Sequence, residues 1–313
     1  MYDDPNSDHI FRLIYSFHMP LFMMICGYFF QKSIAKYGRY TYIKRKLKLR
    51  CFSLIIPMLS FGALKMVISG NIGIVSWLEN SHRIWFLGDL VINTLLVIYV
   101  LKWCNNVFFH DAICFLFVLP LACIPKLGYG LMGGFMYLFF VCGYLFAFHY
   151  RSWCTGFRYW KIILLLYSLA YFAFNFTPYD SSGVVLISHN YAYMMIGNIL
   201  KIILGITGSC LVLLMIYKLT FLLKNTWIEQ IAVERGRYTL DIYLLNIILL
   251  ETLGASLYKR LVELYNFNFL YAYGSIFEII GTFVITFFMM EIIVLVGNFM
   301  NRNRLISKIF FYR

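Results

Sequence analysis

The run Ser16-Phe17-His18-Met19-Pro20-Leu21-Phe22 puts an ionisable imidazole inside an otherwise apolar stretch. A polar ionisable group in hydrocarbon costs a few kcal/mol unless it faces a partner or a wet cavity. His18 is therefore either a functional group or a histidine satisfied by a hydroxyl on a neighbouring helix. Pro20 lacks the N–H that would bond the Ser16 carbonyl, so that oxygen is freed one turn back, beside the histidine. A kinked, partly hydrated pocket is expected there. Asp89 raises the same question, because a carboxylate at that depth needs a partner; it would orient His18 or pair with Arg83. Arg83 itself, just before Trp85, suits pairing with an acidic group or anchoring at the interface. Lys65, Glu278 and Glu291 also fall in apolar runs, and for Glu291 snorkelling from a helix end is as good an account as a role. Arg45, Lys46, Lys48 and Arg50 belong to a basic run of the kind that orients a span or touches anionic lipid. The eight cysteines occur singly with no C-x-x-C pair, which signals neither a disulfide framework nor a metal site.

The elements that must hold these groups follow from composition. Of 313 residues, 62% are hydrophobic and only 13% charged, too few charges to build a water-soluble surface. The expected fold is all-α: a polytopic integral membrane helix bundle, residues 1–313 forming one domain. A span needs about 20 apolar residues. Nine candidates lie near 10–31, 51–69, 84–101, 107–124, 131–149, 160–177, 192–217, 238–257 and 272–299, the fourth weakened by Pro120 and Pro125. Alternating these spans leaves 20 of the 27 Lys and Arg residues on one side and four on the other. By the positive-inside rule the N-terminus is outside and the C-terminus inside. Met1 to His9 carries no basic n-region, so it does not read as a cleavable signal peptide. The net charge of +13 is largely this loop charge and does not argue for nucleic acid.

Five segments, in order, resemble the membrane acyltransferase 3 family. SFHMPLFMMICGYFF is similar to its second-helix signature. The basic run from Lys44 to Arg50, leading to Leu54-Ile55-Ile56-Pro57, resembles the entry into the next helix. Ile84-Trp85-Phe86-Leu87 with Asp89-Leu90 resembles a W-F-L motif, and Phe139-Phe140-Val141-Cys142-Gly143-Tyr144-Leu145 an F-F-x-x-G-Y-L helix. Gly236-Arg237-Tyr238-Thr239-Leu240-Asp241-Ile242-Tyr243-Leu244-Leu245-Asn246 is similar to G-x-x-T-L-x-I-Y-L-x-H. Two departures stand beside the matches. The family opens with a cytoplasmic N-terminus and a first helix bearing a basic residue and a histidine, whereas Met1 to His9 reads as the outer loop after such a helix. Asn246 replaces the usual histidine, and asparagine hydrogen-bonds but carries no proton at neutral pH.

The resemblance implies acyl transfer, most simply of acetyl from acetyl-CoA, to a hydroxyl of a cell-envelope glycan, at a bacterial plasma membrane. No cofactor would be tightly bound; acetyl-CoA is a substrate. His18 would serve as base, with Tyr243 and Asn246 in the catalytic set. Arg83, Trp85 and Asp89 would hold the acceptor, and Arg45, Lys46, Lys48 and Arg50 the coenzyme phosphates. Two other expectations are carried along: a glycan or lipid-linked sugar transporter, and an inactive remnant of the family.

Overall fold

A computed structural model describes residues 13–82, 84–103, 133–148, 159–175, 191–236, 238–248 and 275–312. Among them there is no strand. That outcome follows from the solvent, since a helix satisfies its own backbone where no water can. The principal helices are α1 His18–Tyr37, α2 Leu47–Ser69, α3 Ile74–His82, α4 Trp85–Trp103, α5 Gly133–Phe148, α6 Trp160–Asn175, α7 Tyr191–Leu222, α8 Trp227–Gly236, α9 Thr239–Asn246, α10 Ser275–Arg302 and α11 Arg304–Phe310.

Four stretches among the described residues are long and apolar enough to cross a bilayer: Leu13–Tyr37, Arg39–Ser69, Trp85–Lys102 and Ile196–Leu222. Met136–Phe148 and Trp160–Ala173 are shorter apolar helices. The protein is an integral membrane protein. The expected span 107–124 and the part of 238–257 from position 249 on lie outside the described residues. On α6, Ile162, Leu165, Leu169 and Phe172 are exposed at a spacing of three to four, an apolar stripe that lipid covers. The stretch carrying α4 is the most buried of the four.

The chain divides into two compact units, Met1–Lys48 with Gly88–Leu222, and Leu49–Leu87 with Leu223–Arg313. In the first, α1 crosses α5 with backbones in contact. A Cβ on Gly27 would collide with the Phe140 carbonyl, and one on Gly143 with the Met24 backbone. Only glycine permits this approach. The crossing is sealed by Phe30, whose ring lies 5.5 Å from Phe140, 6.0 Å from Tyr144 and 5.6 Å from Tyr42. α7 packs on the same side through Gly205, against Phe139 and Pro20, and Gly208, against Phe17 and Tyr167.

In the second unit, α2 runs through Pro57 to Ser69 without ending at it. The C-terminal α11 lies along α2: Ser60 Oγ donates to the Ile309 carbonyl at 2.6 Å, and Phe61 contacts the Phe310 and Phe311 rings at 5.3 and 5.7 Å. Asn303 caps α11, its side-chain oxygen accepting from the Leu305 and Ile306 amides. α3 is held to α2 by Trp77 Nε1, which donates to the Leu59 carbonyl at 3.0 Å.

Candidate functional site

His18 opens α1. A helical turn over Leu13–Tyr15 stops at Ser16 and Phe17, and the helix restarts at His18, with Phe17 at φ −134° and ψ −16°. Pro20 does not kink the interior of a helix: it falls in the first turn of α1, where its missing N–H costs nothing, and the chain breaks just before it at Ser16 and Phe17. The break is braced from two helices. Ser16 Oγ donates to the Leu13 carbonyl at 2.7 Å and shares a hydrogen bond with Tyr167 Oη of α6 at 3.0 Å. Ser209 of α7 donates to the Phe17 carbonyl at 3.5 Å, and the Leu21 amide to the same oxygen at 2.8 Å. Tyr167 in turn stacks on Tyr171 at 6.0 Å.

The imidazole is half-buried, with the Tyr15 ring edge-on at 4.4 Å and the Ile14 and Tyr15 carbonyls as polar neighbours. Its Nδ1 is buried and has no hydrogen-bond partner. No hydrogen bond or ion pair joins His18 to Asp89, whose Oδ2 is also buried and unpartnered. Arg83 lies outside the described residues. Tyr167, Ser209 and Tyr15, which frame the histidine, were invisible to motif reading. A tyrosine or serine inside an apolar span carries no signal until its neighbours are known.

The second unit holds Trp85, Tyr243 and Asn246, all half-buried. Phe86 links the first two: its ring is 6.3 Å from Trp85 and 5.5 Å from Tyr243. The start of α4 thereby meets α9. α9 is fixed to α10 by polar contacts. Asp241, fully buried, accepts from Asn301 Nδ2 at 3.1 Å, and Ser307 hydrogen-bonds Asn301 Oδ1 at 3.4 Å. Just before α9, Arg235 forks onto Glu291, Nε to Oε1 at 2.8 Å and Nη2 to Oε2 at 2.7 Å. Those hydrogen bonds hold the Arg235 guanidinium above its usual pKa. Glu291 is therefore partnered, and snorkelling does not account for it; Glu278 has no described side chain.

The basic residues divide between the units. Arg45 and Lys46 sit on a π-helical turn, Tyr42–Lys46, that turns Tyr42 into the core while Lys44, Arg45 and Lys46 stay exposed. Lys48 is exposed at the start of α2. Lys46 Nζ lies 5.0 Å from the Tyr37 ring centre and Lys44 Nζ 5.6 Å from Tyr40, so these ammonium groups rest on aromatic faces. Arg50, in the second unit, is half-buried. No group of three or more His, Cys, Asp or Glu side chains among the described residues could hold a metal ion.

A family model described as an acyltransferase domain matches residues 1–297. The chain belongs to the acyltransferase 3 family. No curated protein and no solved structure matches it. The match spans the first unit and all but the C-terminal end of the second, and it contains all five ordered motifs. For this acyltransferase, the glycines of the C-G-Y segments in α1 and α5 are Gly27 and Gly143, the two that meet at the helix crossing. Those motifs mark packing. His18, the break before it and the α9 segment carry the polar groups that packing leaves over.

Proposed function

We propose that this membrane acyltransferase moves an acetyl group from acetyl-CoA to a hydroxyl of a cell-envelope sugar or polysaccharide. We place it in a bacterial plasma membrane with its N-terminus outside and C-terminus in the cytoplasm. The observation that carries the reading is His18: a half-buried imidazole in a membrane helix of an acyltransferase, held at a braced helix break with Nδ1 unengaged. A sugar hydroxyl is a poor nucleophile, and a positioned base accelerates its attack by about 10² to 10⁴.

In this scheme neutral His18 takes the hydroxyl proton as the oxygen attacks the thioester carbonyl. The tetrahedral oxyanion needs fixed donors in a dry site, for which Trp85 Nε1–H, Tyr243 O–H and the Asn246 amide are the candidates. Collapse breaks the C–S bond, and the leaving thiolate takes the proton from the imidazolium. Arg83, Trp85 and Asp89 are assigned to the acceptor. Arg45, Lys46, Lys48 and Arg50 are assigned to the phosphates of coenzyme A, which the basic residues of the inner loops would meet on arrival from the cytoplasm. Asn246 hydrogen-bonds but does not relay protons, so proton transfer rests on His18.

The test is His18→Ala in native membranes, with transfer of label from [¹⁴C]acetyl-CoA to the envelope glycan fraction as readout. Loss of transfer at normal membrane abundance is the expected result. Unchanged transfer would remove His18 as the base.

A further inference from the structure

Among the buried polar groups of the described residues that the proposed chemistry does not use, Asn93 is fully enclosed. Asn93 of α4 is 0% exposed, and both its amide nitrogen and its amide oxygen lack a hydrogen-bond partner. Thr94 beside it is 1% exposed, and its hydroxyl is also unpartnered. A helical threonine ordinarily bonds back to its own helix, as Thr207 does to the Ile203 carbonyl at 2.6 Å. Thr94 makes no such bond. Asp89, 5% exposed with a buried free Oδ2, lies four residues before Asn93 and therefore on the same face. At 1.5 Å per residue, Asn93 is about 12 Å along α4 from Trp85 and about as far from Lys102. It sits near mid-membrane, where an unmet amide is costliest.

We propose that Asn93, flanked by Thr94 and Asp89, is a subsite for a secondary amide of the substrate. The argument is complementarity. A primary amide presents a donor and an acceptor in one plane, and a second amide meets both at once. A cation would satisfy the oxygens of Asp89, Asn93 and Thr94 but leave the Asn93 N–H groups unmet. This inference rests on the acyl-transfer reading above, and two of its substrates contain such a group: the pantetheine arm of coenzyme A, and an acetamido substituent on an N-acetylated acceptor sugar. The hydroxyl of Thr94 supplies a second contact to either.

The experiment uses the full chain in lipid nanodiscs, as wild type, Asn93→Leu and Thr94→Val. Four probes are titrated: coenzyme A, adenosine 3′,5′-bisphosphate (which lacks the pantetheine arm), chitotetraose and cellotetraose (which lacks the acetamido groups). Asn93→Leu is expected to weaken either coenzyme A or chitotetraose about thirtyfold, the worth of two net hydrogen bonds, and to leave the paired control unchanged. Thr94→Val, which keeps shape, should weaken the same probe about fivefold. Which probe responds identifies the source of the amide. Because Asn93 has no protein partner, the melting temperature of Asn93→Leu should hold or rise. The proposal is overturned if wild type binds coenzyme A or chitotetraose and neither variant changes that binding, or if Asn93→Leu melts lower. Absence of coenzyme A and chitotetraose binding in wild type would overturn the acyl-transfer reading together with it.

Discussion

Replacing Gly143 by alanine tests whether the α1–α5 crossing holds the first unit together. A Cβ at this position would lie 2.6 Å from the Met24 carbonyl carbon and 2.7 Å from its Cα, backbone atoms that cannot rotate aside. The Met24 carbonyl oxygen lies closer still, so restoring an ordinary 3.4 Å contact to it requires the two helices to part by about 1.5 Å. A gap of that size forfeits about half or more of the dispersion energy between facing atoms. The facing atoms here include the rings of Phe30, Phe140 and Tyr144. With overpacking itself costing about 1–3 kcal/mol, the expected loss is about 2–4 kcal/mol. Thermal unfolding in lipid nanodiscs measures it, with Gly73→Ala and Gly236→Ala as controls, since a Cβ at either meets nothing within 4 Å. Gly27→Ala should behave like Gly143→Ala, and the double variant should lose less than the two added, because both part the same pair of helices. If Gly143→Ala melts with the Gly73→Ala control, the crossing is not where the packing energy lies and the account is wrong.

Two further outcomes concern the second unit. Arg235→Lys keeps the charge but loses the fork onto Glu291; with both side chains partly solvated, the expected cost is about 0.5–1 kcal/mol, read by chemical denaturation, and a variant as stable as wild type would show that the pair contributes nothing. Asn301→Ala removes a donor from the fully buried Asp241 carboxylate and should cost about 1–3 kcal/mol, with faster amide hydrogen exchange across Thr239–Asn246; unchanged exchange there would separate Asp241 from the positioning of α9.

Membrane insertion, the all-helical class and the family were legible in the sequence because each depends on patterns additive along the chain. Apolar runs between basic loops need no knowledge of neighbours, and the order of five motifs is itself linear. His18 was legible for the same reason, as an ionisable residue in an apolar run; the form of the break before it was not, because Pro20 suggests a kink within the span and instead sits harmlessly in the first turn of α1. The meaning of the motif glycines was not legible either. Gly27 and Gly143 are 116 positions apart, and only the crossing of α1 and α5 makes each the space the other helix needs. By position Glu291 reads as a helix-end carboxylate, and only the fold sets Arg235 against it. Asn93 and Thr94 carry no local mark, since polar residues in a span are ordinary while partners can be assumed. What the tertiary structure decided was which polar groups have partners, because hydrogen bonding depends on distances between helices that no local pattern encodes.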